Sequence, residues 1–403
     1  MPLISKISAR SGTSSKGART QNIVNDGKDG IARKRPALVY SNGYGGIGNG
    51  LMDTPNGLFG AWDNAGIVDE AGTAHIVGSG VLTSLIVAGW SNLYITGMSD
   101  DGQTCSGYGT KASVGIRAVK LTKTTLTELT YPSGVTGATY AYGISGDGLT
   151  IVGSGYVAAT GLMRAYKWVG TTATQVAVAN SSWTEGGAYS ANYNGTKICG
   201  HVHRAGVMTG FISTNAVASY KALGGIYISN VQFFCMSSNG TYVGGWARDP
   251  STSQQHPMIY DGTTVTTMFT GASGVVTGLS NDGEYCCGIP TSGDDGFFYK
   301  KTGAVLTYLD SGTTTILPYA ISRYGNAVVG EAVTPIGTVA MFRWTEAGGF
   351  ENLGRIAETG AGTGQASNFQ FPKSACCSAL GTTIASTQFN VSSRTPAFWT
   401  PTT

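Results

Sequence analysis

Charge is what this sequence has least of. Lys, Arg, Asp and Glu make up 12% of its 403 residues, about half the ~25% of an ordinary globular chain. Long hydrophobic runs are missing as well. None approaches the ~20 apolar residues of a membrane helix, so no helical membrane insertion is expected. The opening MPLISKISAR has no apolar core of the length a signal peptide needs. Amphipathic helical periodicity is absent, which predicts almost no helix. There is no Cys-x-x-Cys pair of the kind zinc sites use, and no Gly-x-Ser-x-Gly elbow beside a helix. Carboxylates are too scattered to nominate the acid and base of a glycosidase. No catalytic residue, metal or cofactor can be named on these grounds, and the chain reads as something other than an enzyme.

The cysteines fit a reducing site of folding. There are seven, an odd number, at Cys105, Cys199, Cys235, Cys286, Cys287, Cys376 and Cys377, which argues against a disulfide framework. They read as small buried hydrophobes. Cys286 and Cys287 are adjacent on one strand and should point to opposite faces.

Glycine is abundant, at 61 residues, and it is ordered into a repeat. Seven four-residue turns end in Gly102, Gly148, Gly195, Gly240, Gly283, Gly325 and Gly381, at spacings of 46, 47, 45, 43, 42 and 56 residues. Five end in Asp-Gly or Asn-Gly, a strong hairpin signal because Asp, Asn and Gly tolerate positive φ. Five residues after each turn comes a second glycine (Gly107, Gly153, Gly200, Gly245, Gly288, Gly330), replaced in the seventh copy by Ser386. Third and fourth β-prone runs follow in most copies. Four short strands per copy is the pattern of a propeller blade. A lone blade cannot bury both its faces, so the copies must stack around an axis.

The fold class expected is therefore all-β, a seven-bladed propeller of four-stranded antiparallel blades at about 93–138, 139–187, 188–229, 230–274, 275–317, 318–371 and 372–403. The last copy ends after its third strand. The unassigned run from Val81 to Ala88 is expected to supply the missing strand and close the ring, leaving no open edge. Trp168, Trp344 and Trp399 recur at one place in the third strand and are assigned to packing between blades. The pattern Ile-Ser-x-Asp-Gly-x-x-x-Val-Gly followed by an aromatic third strand resembles the HAF-type repeats of extracellular and phage-encoded β-propellers. The resemblance spans roughly residues 93 to 403, is good in copies one, two, five and six, and is loose in copies three and seven. It implies a fold and no catalytic residues.

Residues 1–57 lie outside the repeat, with the propeller domain assigned to 58–403. The leader holds eight cations, Lys6, Arg10, Lys16, Arg19, Lys28, Arg33, Lys34 and Arg35, against three acids, a balance of +5; the remaining 17 cations and 19 acids come to −2. A solvated tail is one reading of such a segment. The other is an arm, carried by Lys6, Arg10, Lys16, Arg19, Arg33, Lys34 and Arg35, that orders against an acidic capsid, neck or tail protein. Nucleic acid is a weaker fit, since no aromatic residues are interleaved with the cations. A neutral, hydroxyl-rich protein without an export signal suits a virion component made in the host cytoplasm and released by lysis.

Ligand contact is expected on the side of the ring away from the Asp-Gly turns, where residues vary between copies. Tyr108, Tyr156, His201, His203, Trp246, Arg248 and His256 form the candidate cluster, because rings stack on sugar faces and Arg and His supply directional hydrogen bonds. Packing between blades is the competing reading. His201 and His203 share one side of a strand, but no third metal ligand lies near them in sequence. The functional expectation is a virion fibre, spike or tail-associated protein that recognises a host surface glycan. The alternatives are a structural virion module without ligand, and a propeller glycosidase or lyase. Oligomeric state is left open, a homo-oligomer included.

Overall fold

The computed structural model describes residues 48–54, 57–62, 66–68, 74–76, 80–178, 183–204, 206–214, 217–220, 229–249, 251–268, 273–290, 295–309, 315–333, 339–354, 375–390 and 393–401. The leader cations Lys6 to Arg35 and most of the leader itself lie outside these residues. The chain divides into two compact units. The smaller holds two antiparallel hairpins, Gly48–Thr54 with Gly57–Trp62 and Gly66–Val68 with Ala74–Ile76. The larger, Val81–Phe350 with Gly354–Pro401, is the propeller.

Its seven blades begin at the strands Trp90–Met98, Thr139–Ile144, Trp183–Ala191, Ser229–Met236, Gly274–Leu279, Thr315–Ile321 and Ala375–Cys377. Each of these first strands touches its counterpart in the next blade, and that of blade seven touches that of blade one. They form the inner wall of the ring. Three further strands continue each blade outward, in sequence order except in blade seven, whose outer strand comes from the start of the chain. Blade three gains a short fifth strand, Ala177–Val178, which pairs in parallel with Val217–Tyr220.

The two glycines of the repeat have separate jobs. The turn glycines sit at φ between 66° (Gly195) and 75° (Gly325), the left-handed region that favours glycine. Around them the Ser-x-Asp pattern builds its own network. Ser145 Oγ donates to Asp147 Oδ1 at 2.5 Å and accepts from the Thr150 amide at 2.9 Å. Ser280 and Asp282 repeat this arrangement, with the Tyr285 amide donating. In blade six, where Tyr324 takes the Asp place, Asn326 Oδ1 accepts the serine hydroxyl instead.

The second glycine faces a bulge. In blade two the pairing runs Ala141↔Gly153 and then Gly143↔Val152, so Tyr142 is the extra residue on the inner strand. A Cβ on Gly153 would lie 1.9 Å from the Tyr140 carbonyl oxygen. The same register shift makes Thr96, Tyr189, Phe234, Thr277 and Tyr319 the extra inner-strand residue in blades one, three, four, five and six. The second glycine thus marks the place where one inner-strand residue is pushed out of the ladder.

Closure follows the expected scheme, with a shorter strand. Gly80–Ser84 pairs with Ser393–Pro401 and completes blade seven; the Thr83 hydroxyl donates to the Phe398 carbonyl at 3.4 Å. Residues 85–89 instead turn into blade one, and Leu85 packs with Ile95, Cys105, Cys376 and Phe398 between blades seven and one. Backbone bonds also join the turns of adjacent blades. Asp100 N donates to Gly146 O at 2.8 Å, Arg323 N to Ala379 O at 2.9 Å, and Ala379 N back to Asp100 O at 2.9 Å.

Apolar clusters fill the gaps between blades, for instance Ile198 and Phe211 of blade three with Val152 of blade two. Trp168 and Trp399 are buried, and Trp344 meets Phe298 of blade five at 4.9 Å between ring centres, in line with packing between blades. No disulfide links the seven cysteines, and all but the half-buried Cys377 are buried. Cys286 joins the cluster toward blade four and Cys287 the one toward blade six, on opposite faces of their strand.

Candidate functional site

The bulged residues meet near the axis. Thr96 and Thr277 turn their hydroxyls onto inner-strand carbonyls of the next blade, Ala141 O at 2.9 Å and Pro318 O at 2.8 Å. The others are aromatic. Tyr189, Phe234 and Tyr319 belong to one buried cluster with Trp246, Ile289 and Leu317. Toward the turn face the axis is crossed by an ion pair, Arg323 Nη1 to Asp100 Oδ2 at 2.8 Å. The Arg323 guanidinium also lies 5.1 Å from the ring centre of Tyr193. Burial raises the Asp100 pKa, against the lowering effect of Arg323. A cavity of about 130 Å³ lies along the axis, with Thr96, Tyr142, Tyr189, Cys235 and Arg323 among its walls.

On the blade one to three side the rings form a continuous arc. Tyr94 stacks on Tyr108 at 4.6 Å, and Tyr108 meets Tyr140 edge-on at 5.0 Å. Tyr140 stacks on Tyr142 at 5.9 Å, Tyr142 meets Tyr189 at 5.1 Å, and Tyr189 stacks on His201 at 5.4 Å. His203 follows, its ring 5.6 Å from that of His201. At the opposite end the Arg394 guanidinium lies over Tyr94 at 5.2 Å. Tyr94, Tyr140, Tyr142, His201, His203 and Arg394 are half-buried, while Tyr108 and Tyr189 are buried, so the arc runs along the edge of the core.

Tyr108, Tyr140, Tyr142, Tyr189 and His201 are uncharged at neutral pH, and Arg394 adds a cation at the Tyr94 end. Burial pushes the Tyr142 hydroxyl up to about 12, and raises Tyr108, Tyr140 and Tyr189 as well. Burial, and after it the neighbouring His203, pushes His201 down to about 4. At neutral pH the arc therefore presents protonated phenols and an uncharged imidazole. The groups are held in place: Ser154 Oγ donates to the Tyr142 hydroxyl at 3.1 Å, and the Gln232 amide lies 3.3 Å from the Tyr189 hydroxyl and 3.2 Å from His201 Nδ1.

The seven residues singled out from sequence fall into different places. Tyr108, His201 and His203 are in the arc. Trp246 is 8% exposed and packs in the axial cluster beside Phe234 and Val275. Tyr156 is 38% exposed but lies at the loop end of blade two, against Gly137. Arg248 is exposed and donates from Nε to Ser253 O at 3.1 Å. His256 is buried beside Asp249, with Nε2 3.9 Å from Oδ2. Sequence reasoning missed Tyr94, Tyr140, Tyr142 and Tyr189 because it took no candidate from the first strands. A signal was present: the bulged residue stands three positions before the first residue of each turn, as in Tyr142 before Ser145 and Tyr189 before Asn192.

No family model matches the chain, and no curated protein matches it by sequence. The resemblance to HAF-type repeats and a phage origin therefore gain no support; the seven-bladed propeller stands. Solved structures do overlay on it. An oligogalacturonate lyase from Vibrio parahaemolyticus is 11% identical, with 83% of this chain and 96% of that one covered and a TM-score of 0.52. An oligogalacturonate lyase in complex with manganese is 12% identical, covers 78% and 90%, and has a TM-score of 0.51. The propeller domain of the Trilobed protease from Pyrococcus furiosus, described as having an open velcro topology, is 12% identical, covers 78% and 94%, and has a TM-score of 0.50. At such identities the likeness is one of fold. It nonetheless corrects the expectation of a non-enzymatic protein. Missing nucleophile motifs and sparse carboxylates were its grounds, and rings of this architecture include lyases that those motifs would not have found.

Proposed function

We propose that the protein binds a glycan along the tyrosine arc at the axis of its propeller. The observation that carries this reading is the unbroken run of ring contacts from Tyr94 to His201. Sugar C–H faces pack on aromatic rings, and phenol, imidazole and amide groups offer directed bonds to sugar hydroxyls. Uncharged rings suit a ligand recognised by shape and hydrogen bonds. The arc is also held rigidly by Ser154 and Gln232, so little ordering entropy is lost on binding.

Cleavage of the bound glycan is the second reading. What favours it is the fold likeness to two oligogalacturonate lyases, together with an imidazole at the arc's end that stays unprotonated at neutral pH. The setting proposed for either reading is a virion, with residues 1–57 attached to a capsid, neck or tail protein. Low charge and the basic leader support that setting.

The test is binding of the full chain to an immobilised glycan panel. Tyr140→Ala should weaken the best binder about tenfold, the worth of one ring contact, whereas Tyr156→Ala should leave it unchanged. Failure to bind any glycan, or equal effects of the two substitutions, would count against the arc. Release of reducing or unsaturated ends from the bound glycan selects the second reading. A chain lacking residues 1–57 should bind the same glycan and fail to enter particles.

A further inference from the structure

We infer that the glycan is acidic and that its anionic substituent lies against Arg394, which makes Arg394 a specificity-determining residue of the arc; this rests on the glycan reading above. Arg394 opens the third strand of blade seven, at the loop end away from the Asp-Gly turns. Its guanidinium lies over the face of Tyr94 at 5.2 Å and acts electrostatically on the Tyr108 hydroxyl, whose pKa it lowers against the stronger effect of burial. It therefore stands at the head of the same run of rings.

Among the described residues it makes no ion pair. Glu128 of blade one is engaged by other cations, Lys111 at 2.6 Å and Arg117 at 3.6 Å. Other polar contacts around Arg394 involve its backbone and its neighbours, with its amide donating to Asn92 Oδ1 at 3.3 Å and Ser393 Oγ accepting from the Asn92 amide at 2.8 Å. A half-buried guanidinium over a ring face offers its N–H groups to a planar or tetrahedral anion, and it does so better than lysine would.

Charge along the arc has a direction. The arc's other charged neighbour is Glu185, near Tyr189, which helps hold that hydroxyl up. An anionic unit is thus favoured at the Arg394 end, and a neutral unit at the Tyr189 end. A uronate carboxylate and a sulfate ester both meet the fork of an arginine.

The experiment compares three ligands of similar length, a polyuronate oligosaccharide, a sulfated oligosaccharide and a neutral one, against the wild-type chain, Arg394→Gln and Arg394→Lys. Isothermal titration at low and high salt gives the readout. The proposal expects one anionic class to bind roughly ten- to a hundredfold tighter than the neutral glycan, the span of a charge-assisted bond. Arg394→Gln should remove most of that margin, weakening the anionic ligand far more than the neutral one, Arg394→Lys should restore part of it, and salt should weaken the anionic ligand more than the neutral one. The class that binds identifies carboxylate or sulfate. Neutral and acidic glycans bound equally, with Arg394→Gln silent, would overturn the inference and leave the arc standing. Binding of none of the three would remove both. Circular dichroism and unfolding of Arg394→Gln check that the ring is intact, and Arg394→Met supplies a second uncharged variant with the same stem packing on Tyr94.

Discussion

Substitution of Gly153 by alanine is the sharpest test of how the ring is built. One methyl group is added, in a strand, at a position with ordinary negative φ, so propensity alone would make the change harmless. The geometry forbids it. The new Cβ would lie 1.9 Å from the Tyr140 carbonyl oxygen and 2.9 Å from the Ala141 Cα, both backbone atoms that no rotamer change can move. Relief needs a shift of about an ångström in the inner strand. That strand is packed between neighbours and carries the bulge that presents Tyr142. Overpacking in such a place costs typically 1–3 kcal/mol, and displacement of the ladder adds roughly 1 kcal/mol for each hydrogen bond weakened. The expected loss is about 3 kcal/mol, read as a lower urea midpoint at unchanged slope. Two controls bracket it. Gly170→Ala places its methyl in open space at φ +61° and should cost only the ~1 kcal/mol of a left-handed residue. Ser386→Gly, in the one blade that already carries a side chain there, should be nearly neutral. A Gly153→Ala protein as stable as the Gly170→Ala protein would refute the bulge argument.

Two further outcomes follow from the same contacts. A chain beginning at Ser91 lacks both the strand that completes blade seven and Leu85 of the closing cluster; thermal unfolding should lose its single cooperative transition, and an unchanged melt would contradict closure by that strand. Acid should act through His201. Its folded pKa of about 4 lies below the ~6.5 of an unfolded histidine. The unfolded state therefore binds more protons between those values, and stability present above pH 6.5 drains away as the pH falls toward 4. The loss is of the order of 2–3 kcal/mol. His201→Asn should flatten that part of the stability profile measured by urea unfolding, and an unaltered profile would show that the imidazole is not held neutral.

Much of this architecture is legible before any coordinates. Asp-Gly and Asn-Gly turns at near-constant spacing specify hairpins, since positive φ is a local demand that few residues meet. Seven such copies specify seven blades, because an isolated blade leaves both its faces in water. The missing fourth strand at the end and the spare run after residue 80 specify closure. Six of the seven cysteines, with Trp168 and Trp399, are buried as their strand positions predict, while Cys377 and Trp344 are half-buried.

The site was legible only in part, and the reason is the bulge. Alternation along a strand gives the two faces of a blade, yet Tyr142, Tyr189 and Phe234 leave that alternation when the register slips opposite Gly153, Gly200 and Gly245. Which residues reach the axis is thus set by pairing between strands, and their neighbours by the stacking of blades. Tyr108 could be picked from its own strand, but its contact with Tyr140 exists only because blade two stands beside blade one. Arg394 is close to Tyr94 although 300 residues separate them in the chain, a proximity created when the last blade closes on the first. Local sequence therefore determined the turns, the strands and their number, through backbone conformation and burial. The tertiary structure alone decided which rings face one another and where charge meets them, because those are properties of a closed circle of sheets rather than of any one sheet.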